Sequence, residues 1–397
     1  MPKIPLINNG IGALSASTTR FGFLGMNPLG GFFSVEGQTQ VPMTVAGTFS
    51  DFFVYVTANA ATTTTTIVIR KNAADTIALI SIGAGLTGKF KVTASVSVLP
   101  GDLMNVSQTN GATGSTNTTT VGVSWTPLTR FQSPAVASNG TNFATDSTTI
   151  YFPISGNKGG NAGVQAAVQY KLYSPGTFHG LSAYVQTNTR STTTTIGFEI
   201  NGATVITISV GAGLTGLFRD NTTRAVAGMY SLINYNQTTS TGGGNFSAFM
   251  MKIDYVPNNR QDFILFWGTA GSVTTAAGLT RYFMPGGQTA GDATEANRQP
   301  AALSKITLRY LRIYVSANTM IDDSTLKSRK NTGYGNFTIT IGTLVTGVLE
   351  ATSGVYDTFL PTDLLDWELI TGATGTSLVM TQISCLGSVA PYPKFFQ

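Results

Sequence analysis

The feature of this 397-residue sequence that most restricts its fold is a repeat with a period of about 130 residues. YVTANAATTTTTI, from Tyr55 to Ile67, matches YVQTNTRSTTTTI, from Tyr184 to Ile196, at an offset of 129 residues. A third and more divergent copy carries IYVSAN from Ile313 to Asn318. Because solenoid repeats are only about 20 to 50 residues long, a period of this length indicates a triplicated domain.

Within each copy, runs of alternating apolar and polar residues predict β-strands. The first copy contains FFVYVT, TTIVIRKN, TIALISI, KFKVTASVSV, LMNVSQT and TVGVSWT, separated by Gly, Asn and Pro. Short strands at this spacing are typical of a sandwich or barrel. Two further strands in the FGFLG to VPMTV region bring the total to about eight, the number in a jelly roll. The expected fold class is therefore all-β, with three tandem jelly-roll-type β-sandwich domains in one chain and extended terminal arms.

The repeat also predicts where the domains begin and end. Each copy opens alike, with TRFGF at Thr19, TRF at Thr129 and TRYF at Thr280. The expected organisation is an N-terminal arm (1–18), jelly roll 1 (19–127), jelly roll 2 (128–257), jelly roll 3 (258–387, with an inserted segment at 258–302) and a C-terminal aromatic tail (388–397).

Charge and hydropathy exclude several classes of partner. Charged residues make up 10% of the chain, against roughly 25% in an average soluble protein. The net charge is +5, but the basic residues are scattered, and LKSRKN at Leu326 to Asn331 is interpreted as a solvated turn. We therefore expect no nucleic-acid partner. No apolar run reaches the ~18 residues of a membrane span, and the N-terminus lacks the apolar core of a signal peptide, so we expect synthesis in a host cytoplasm.

Two copies of Gly-x-Gly-x-x-Gly have the spacing of a dinucleotide-binding loop. That loop must be followed by a helix whose N-terminus faces the pyrophosphate. Here KFKVTASVSV follows, which alternates and predicts a strand, so a turn between antiparallel strands is favoured and no cofactor is expected. LPGDLM and LPTDLL predict a second kind of repeated turn. The predicted structural turn residues are Gly83, Gly85, Gly88, Gly211, Gly213, Gly216, Gly342, Gly347, Asp102 and Asp363.

The sequence offers little material for catalysis or metal binding. His179 is the only histidine, and it is interpreted as a residue at the edge of a strand. Cys385 is the only cysteine and is interpreted as a packed residue of the last strand. The one adjacent pair of carboxylates, Asp322 and Asp323, lies in a polar loop. We therefore expect no catalytic residue, no metal site and no enzyme activity.

The order of these motifs resembles the jelly-roll domains of bacteriophage virion proteins. The shared pattern is an aromatic-x-Val strand, a Thr-rich strand, an Arg-Lys-Asn turn, Thr-Ile-x-Ile-Gly-Ala-Gly-x-Thr-Gly, and Pro-Gly-Asp before a strand. It is best kept in Tyr55 to Val106, well kept in Tyr184 to Tyr235, and looser in Tyr314 to Leu369. Such domains occur in capsid decoration proteins, head fibres and C1q-like receptor-binding modules. The resemblance implies a structural virion protein, a minor capsid or decoration component that contacts the viral shell and copies of itself.

Two alternatives stay open at this point. The tail PYPKFFQ carries Tyr392, Phe395 and Phe396, which either dock into a partner or pack on the third domain of the same chain. The alternative function is a receptor- or carbohydrate-binding module of a head fibre or tail spike, with a glycan as ligand. The sequence also leaves open whether the three domains form a pseudo-trimer or an extended string.

Overall fold

The computed structural model describes residues 3–24, 33–128, 132–138, 148–157, 163, 165–259, 261–283, 291–300 and 302–389. Regular structure in these ranges is almost wholly β-strand, which confirms the all-β class with β-sandwich domains. Nothing helical in the described ranges is long and apolar enough to cross a membrane. The helical segments in these ranges are three short 3-10 turns, Glu36–Gln38, Gln165–Ala167 and Glu295–Arg298.

The first unit is a sandwich of two antiparallel sheets. Its strands are β1 (Ile4–Leu14), β2 (Thr19–Phe23), β3 (Val41–Pro42), β4 (Gly47–Asn59), β5 (Thr65–Lys71), β6 (Ala74–Ile82), β7 (Gly88–Val92), β8 (Val96–Val98), β9 (Leu103–Thr109) and β10 (Thr116–Pro127). One sheet has the order β1-β10-β4-β7, with β8 beside β4. The other has the order β2-β9-β5-β6, with β3 beside β9. The chain crosses between the two sheets several times, and some consecutive strands, such as β5 and β6, stay in one sheet.

The second unit repeats this topology. Its strands are β11 (Ser133–Ser138), β12 (Thr149–Phe152), β13 (Gly156–Asn157), β14 (Tyr170–Lys171), β15 (Gly176–Asn188), β16 (Thr194–Ile200), β17 (Ala203–Val210), β18 (Gly216–Ala227), β19 (Leu232–Thr239) and β20 (Phe246–Pro257). The first sheet has the order β13-β11-β20-β15-β18. The second has the order β12-β19-β16-β17, with β14 beside β19.

The third unit has the same arrangement. Its strands are β21 (Asp262–Ala276), β22 (Thr280–Phe283), β23 (Ile306–Met320), β24 (Ser324–Lys330), β25 (Gly333–Ile341), β26 (Gly347–Glu350), β27 (Tyr356–Phe359), β28 (Leu365–Ile370) and β29 (Gly375–Val389). The sheets have the orders β21-β29-β23-β26, with β27 beside β23, and β22-β28-β24-β25.

The expected N-terminal arm at 1–18 is corrected by the structure. Strand β1 pairs with β10 from Ile4 opposite Trp125 to Leu14 opposite Thr116. Ile4 and Leu6 are buried in the core of the first unit. The segment is held because its inward apolar side chains and its backbone groups complete the edge of the first sheet.

The expected insertion at 258–302 is corrected in the same way. Strand β21 pairs with β29 and β22 pairs with β28, so this segment supplies the first two strands of the third unit. The first strands of the three units therefore begin at Ile4, Ser133 and Asp262, and β29 runs to Val389, past the expected boundary at 387. The TRF motif at Thr129 and the tail residues Tyr392, Phe395 and Phe396 lie outside the described residues.

The core of each unit lies between its two sheets. Trp125 and Trp367 are fully buried, and the Phe49 ring packs on Trp125 with 4.6 Å between ring centroids. In β6 the apolar side chains alternate, so that Ile80 is buried while Ile77 is exposed. Buried apolar side chains from all three units form one continuous cluster, so the units share packing as well as a chain.

Candidate functional site: the seams between the units

The glycine turns lie at one end of each unit, between antiparallel strands. Gly83, Gly85 and Gly88 join β6 to β7, and Gly85 and Gly88 adopt φ values of 70° and 107° that favour glycine. Asn59 Nδ2 donates to the carbonyl oxygens of Gly83 and Leu86, both at 3.0 Å. The same clamp is made by Asn188 on the turn with Gly211, Gly213 and Gly216, and by Asn318 on the turn with Gly342 and Gly347.

The predicted aspartate turns lie at the opposite end of the units. Asp102 accepts hydrogen bonds from the Leu99 amide and from Asn72 Nδ2, both at 2.7 Å, and Lys71 Nζ lies at 2.9 Å. Although burial raises it, these partners lower the pKa of Asp102 overall. Asp363 repeats this arrangement in the third unit. The structure thus places the ten turn residues as joints inside single units and does not bring the two kinds of turn together.

The three units contact one another through equivalent surfaces, which we term seams. In each seam the segment just before the long strand β4, β15 or β23 of one unit packs near a β-bulge in the corresponding strand of the next unit. In seam 1–2 this segment contains Thr44, in seam 2–3 Tyr173, and in seam 3–1 Ser304. The bulge residues have left-handed backbone conformations, Asp51 at φ 54°, Gly180 at φ 66° and Tyr310 at φ 59°.

Seam 1–2 contains a buried ion pair. Lys252 binds Asp254, and both side chains are almost completely buried. Thr44 Oγ1 from the first unit donates to Asp254 Oδ2 at 2.5 Å, and Gln132 Nε2 donates to Thr44 Oγ1 at 2.7 Å. Burial lowers the pKa of Lys252, and Asp254 opposes that shift. Removing one partner of such a pair leaves a buried charge uncompensated, at a typical cost of about 3–5 kcal/mol.

An aromatic cluster closes the same seam. Phe23 and Phe33 of the first unit pack on Phe249 of the second, with ring centroids 6.0 Å and 4.5 Å apart. Val41, Val136 and Met250 are buried in the same cluster. Aromatic contacts of this kind contribute about 0.5–1.5 kcal/mol each beyond the burial of their surface, so apolar packing and the ion pair together fix the first unit on the second.

Seam 2–3 uses different side chains at equivalent positions. The rings of Tyr173 and Tyr310 stack with centroids 4.5 Å apart and an interplanar angle of 6°. Lys171 Nζ lies 3.0 Å from Glu350 Oε1, and Arg312 Nε lies 3.9 Å from the same oxygen. A stack and a small charge network therefore replace the buried pair of seam 1–2.

Seam 3–1 closes the chain on itself. Ser304 Oγ donates to the Lys3 carbonyl oxygen at 3.0 Å. Lys3 Nζ in turn lies 2.5 Å from Asp51 Oδ2, and Lys91 Nζ lies 3.3 Å from Asp51 Oδ1. Burial raises the pKa of Asp51, but the two lysines outweigh it and the net shift is downward. The three head-to-tail contacts have the same direction, and the third of them returns to the first unit. The units therefore form a ring with pseudo-threefold symmetry.

A cleft of about 440 Å³ opens in seam 1–2 beside Gly180. His179, which sequence reasoning set aside as a residue at the edge of a strand, lies in β15 and lines this cleft. No sequence motif marks the site, because its residues come from two units and from positions that differ among the repeats. The lining residues are Pro42, Met43, Thr44, Val45, Pro100, Gly101, Gln132, His179, Gly180, Arg219, Asn221, Arg224 and Val256.

The other residues considered for chemistry lie apart from the cleft. Cys385 is buried in β29, and burial raises the pKa of its thiol well above the usual value. Asp322 Oδ2 accepts the Thr374 amide at 3.0 Å in a loop of the third unit. Among the residues that the structure describes, no three or more His, Cys, Asp or Glu side chains are grouped so that they could hold a metal ion.

No protein-family model and no curated protein sequence matches the chain. Solved structures that overlap with it include the insecticidal delta-endotoxin Cry8Ea1 from Bacillus thuringiensis, with 9% identity and a TM-score of 0.21 over 64% of this chain and 61% of the endotoxin. The chain therefore spans less than two thirds of the endotoxin. PNGF-II overlaps with 8% identity and a TM-score of 0.24, over 88% of this chain and 100% of PNGF-II. The infectious bursal disease virus VP2 subviral particle overlaps with 11% identity and a TM-score of 0.21, over 99% of this chain and 82% of that one. At these TM-scores the overlaps carry no inference about function.

Proposed function

We propose that the chain is a structural protein of a virus particle, a minor capsid or decoration component that binds the viral shell through several equivalent contacts. The observation that carries this proposal is the closed ring of three β-sandwich units in one chain. In such a ring equivalent positions are related by the pseudo-threefold axis and face the same side. One chain therefore presents three copies of the same surface, and simultaneous binding makes individually weak contacts firm.

The glycine turns supply a surface of this kind. Each turn carries an apolar side chain at its tip, and the side chains of Leu86, Leu214 and Val345 are exposed by 54%, 53% and 38%. In the third unit Leu344 and Ile321 are exposed beside Val345. A protein that docks on a flat surface needs exposed apolar side chains on one side of the molecule. The three turn tips supply such side chains on one side of the ring. We propose this side as the one that meets the shell.

The low charge of the chain also supports a contact role. Only 10% of the residues are charged, and short side chains such as Thr and Ser lose little conformational entropy when a neighbour covers them. In this proposal the protein performs no chemistry, needs no cofactor and resides in the virion. Its partners are the shell and other virion proteins.

The test begins with particles purified from the source. Mass spectrometry should find the chain at a fixed ratio to the main shell protein, and cryo-electron microscopy should show a ring-shaped density of three lobes on the shell. Absence of the chain from the shell, with density at a tail or a flexible fibre alone, would refute the proposal.

A triple variant then tests the docking side. Burying one leucine contributes about 1.5–3 kcal/mol, so Leu86→Ser, Leu214→Ser and Val345→Ser together should weaken binding to stripped shells by at least about 100-fold. Ile77→Ser is the control, because Ile77 is 76% exposed but lies on β6 away from the turn. Equal weakening by the control would show that the tips have no special role.

A further inference from the structure

The cleft beside Gly180 lies in seam 1–2. This seam differs from the other two in that one charged side chain has no partner of opposite charge. Lys91, Arg219 and Glu350 occupy equivalent positions, each on the strand next to the bulged one. Lys91 is paired with Asp51 at 3.3 Å, and Glu350 is paired with Lys171 at 3.0 Å. The Arg219 side chain makes no hydrogen bond or ion pair with any residue that the structure describes, so its guanidinium is available to a ligand.

The bulge position explains why space is left beside this guanidinium. In the other seams it is filled by Asp51, which pairs with lysines, or by Tyr310, which stacks on a tyrosine. In seam 1–2 it is Gly180, where a Cβ atom would lie 2.9 Å from both Asp254 Oδ2 and Thr44 Cγ2. The absent side chain leaves the cleft open, and Asp254 is already engaged by its buried lysine and by Thr44.

The cleft presents two guanidinium groups and no lining carboxylate. Arg219 and Arg224 both lie on β18, and both belong to the cleft wall. Burial lowers the pKa of Arg219, and no acid opposes that shift. The neighbouring Asp220 is engaged in a turn, where its Oδ1 accepts the amides of Thr222 and Thr223 at 2.9 Å and 3.0 Å. These hydrogen bonds lower the pKa of Asp220 to about 2 although burial raises it. The cleft is therefore cationic at neutral pH.

The rest of the lining fits a sugar better than a bare ion. Asn221 offers an amide group for hydroxyls, while Pro42, Pro100 and Val256 contribute apolar lining for the C–H face of a ring. A volume of about 440 Å³ lies in the range of small-molecule sites, and arginine forks bind carboxylates with two parallel hydrogen bonds. We propose that the cleft binds a sugar acid, a saccharide whose carboxylate lies between Arg219 and Arg224.

The test compares glucuronate with glucose, which differ in the carboxylate alone. Calorimetric titration of the full chain should give saturable binding of glucuronate that weakens as salt is raised, and no binding of glucose at the same concentrations. Arg219→Gln with Arg224→Gln should weaken glucuronate binding by at least about 10-fold. Arg20→Gln, which removes a cation of β2 that does not line the cleft, is the control and should bind glucuronate as the parent does.

The inference is overturned if glucuronate does not bind, if glucose binds equally, or if the double arginine variant binds unchanged. Equally tight binding of sulfate and glucuronate would also overturn the inference, because the cleft would then recognise only the negative charge of the ligand. The inference does not depend on the proposed function, because sugar binding and shell binding are measured separately.

Discussion

A buried carboxyl group in the third unit should make the stability of the protein fall as the pH rises. Asp366 is fully buried in β28 and receives one hydrogen bond, from Gln299 Nε2 at 3.2 Å. Burial raises the pKa of Asp366 to about 8; Glu295 and Glu368 add to the rise, and Gln299 and Arg329 oppose it. The folded state therefore holds a proton here that the unfolded state releases near pH 4.

The sign and size follow from this difference. Between about pH 4 and pH 8 the unfolded chain binds fewer protons at this site, so the free energy of unfolding falls with pH, by up to about 1.4 kcal/mol per pH unit. Asp366→Asn removes this dependence. The variant should match the parent near pH 4 and exceed it by several kcal/mol at pH 8. Asparagine suits the position, since Asn105 and Asn234 occupy it in the other two units.

Urea denaturation at several pH values between 4 and 8 measures the effect through the unfolding midpoint. Asp363→Asn is the matched control with the opposite sign. Burial raises the pKa of Asp363, but Asn331, the Leu360 amide and Lys330 lower it overall, so this control should lose stability above pH 4. If Asp366→Asn left the slope with pH unchanged, or were the less stable protein at pH 8, the assignment of a proton to Asp366 would be refuted.

Three further predictions concern the ion pair of seam 1–2, a glycine turn and the buried cysteine. Lys252→Met should lower the free energy of unfolding by about 3–5 kcal/mol. Adding Asp254→Leu to this variant should recover most of the lost stability. A double variant as unstable as the single one would contradict this prediction. Asn188→Ala removes both donors to the glycine turn of the second unit and should speed amide hydrogen exchange in that turn while leaving β20 protected. Cys385 should resist a thiol reagent in the native protein and react in urea, since it is buried with a raised pKa; labelling without unfolding would show otherwise.

The sequence is most informative where a local joint recurs in every unit. Asn59, Asn188 and Asn318 stand at the same place in the three copies, and each clamps the glycine turn of its own unit. Each asparagine lies about 25 residues before the turn that it clamps, in the same copy. Each copy of the repeat therefore contains both the asparagine and the turn. This is why the turns could be predicted from the sequence, whereas the role of the asparagines required the structure.

The repeat also contains a compensated exchange that the sequence alone does not explain. The second unit departs from the Arg-Lys-Asn turn by having Glu199 where the first has Arg70. In the structure Arg70 Nε donates to Glu36 at 2.7 Å, whereas Glu199 accepts from Gln165 Nε2 at 2.6 Å. Both positions of the pair change together, so the hydrogen bond survives with its direction reversed. Glu199 alone is a mismatch in the repeat, and its partner Gln165, 34 positions away, explains it.

The first strands and the seams could not be predicted, for different reasons. The main sequence requirement of strands β1 and β21 is that their inward-facing positions be apolar. The register of β1 also shifts between Asn9 and Gly12, so the two strands share no motif that marks them in the sequence. The aligned copies show that the bulge residue is not the same in the three units: it is Asp51, Gly180 or Tyr310. The sequence does not show that each of them faces a different neighbouring unit.

These differences imply that each seam recognises its own partner, and charge reversal in seam 2–3 tests this. Glu350→Lys would place a cation against both Lys171 and Arg312. Adding Lys171→Glu restores one ion pair but leaves Arg312 facing the new lysine, so the recovery should be partial. Because Lys171 and Glu350 are partly exposed, their pair contributes only about 0.2–1 kcal/mol, and the coupling should shrink at about 1 M salt. A double-mutant cycle of urea midpoints measures it; no recovery at low salt would mean that this ion pair does not help to order the ring.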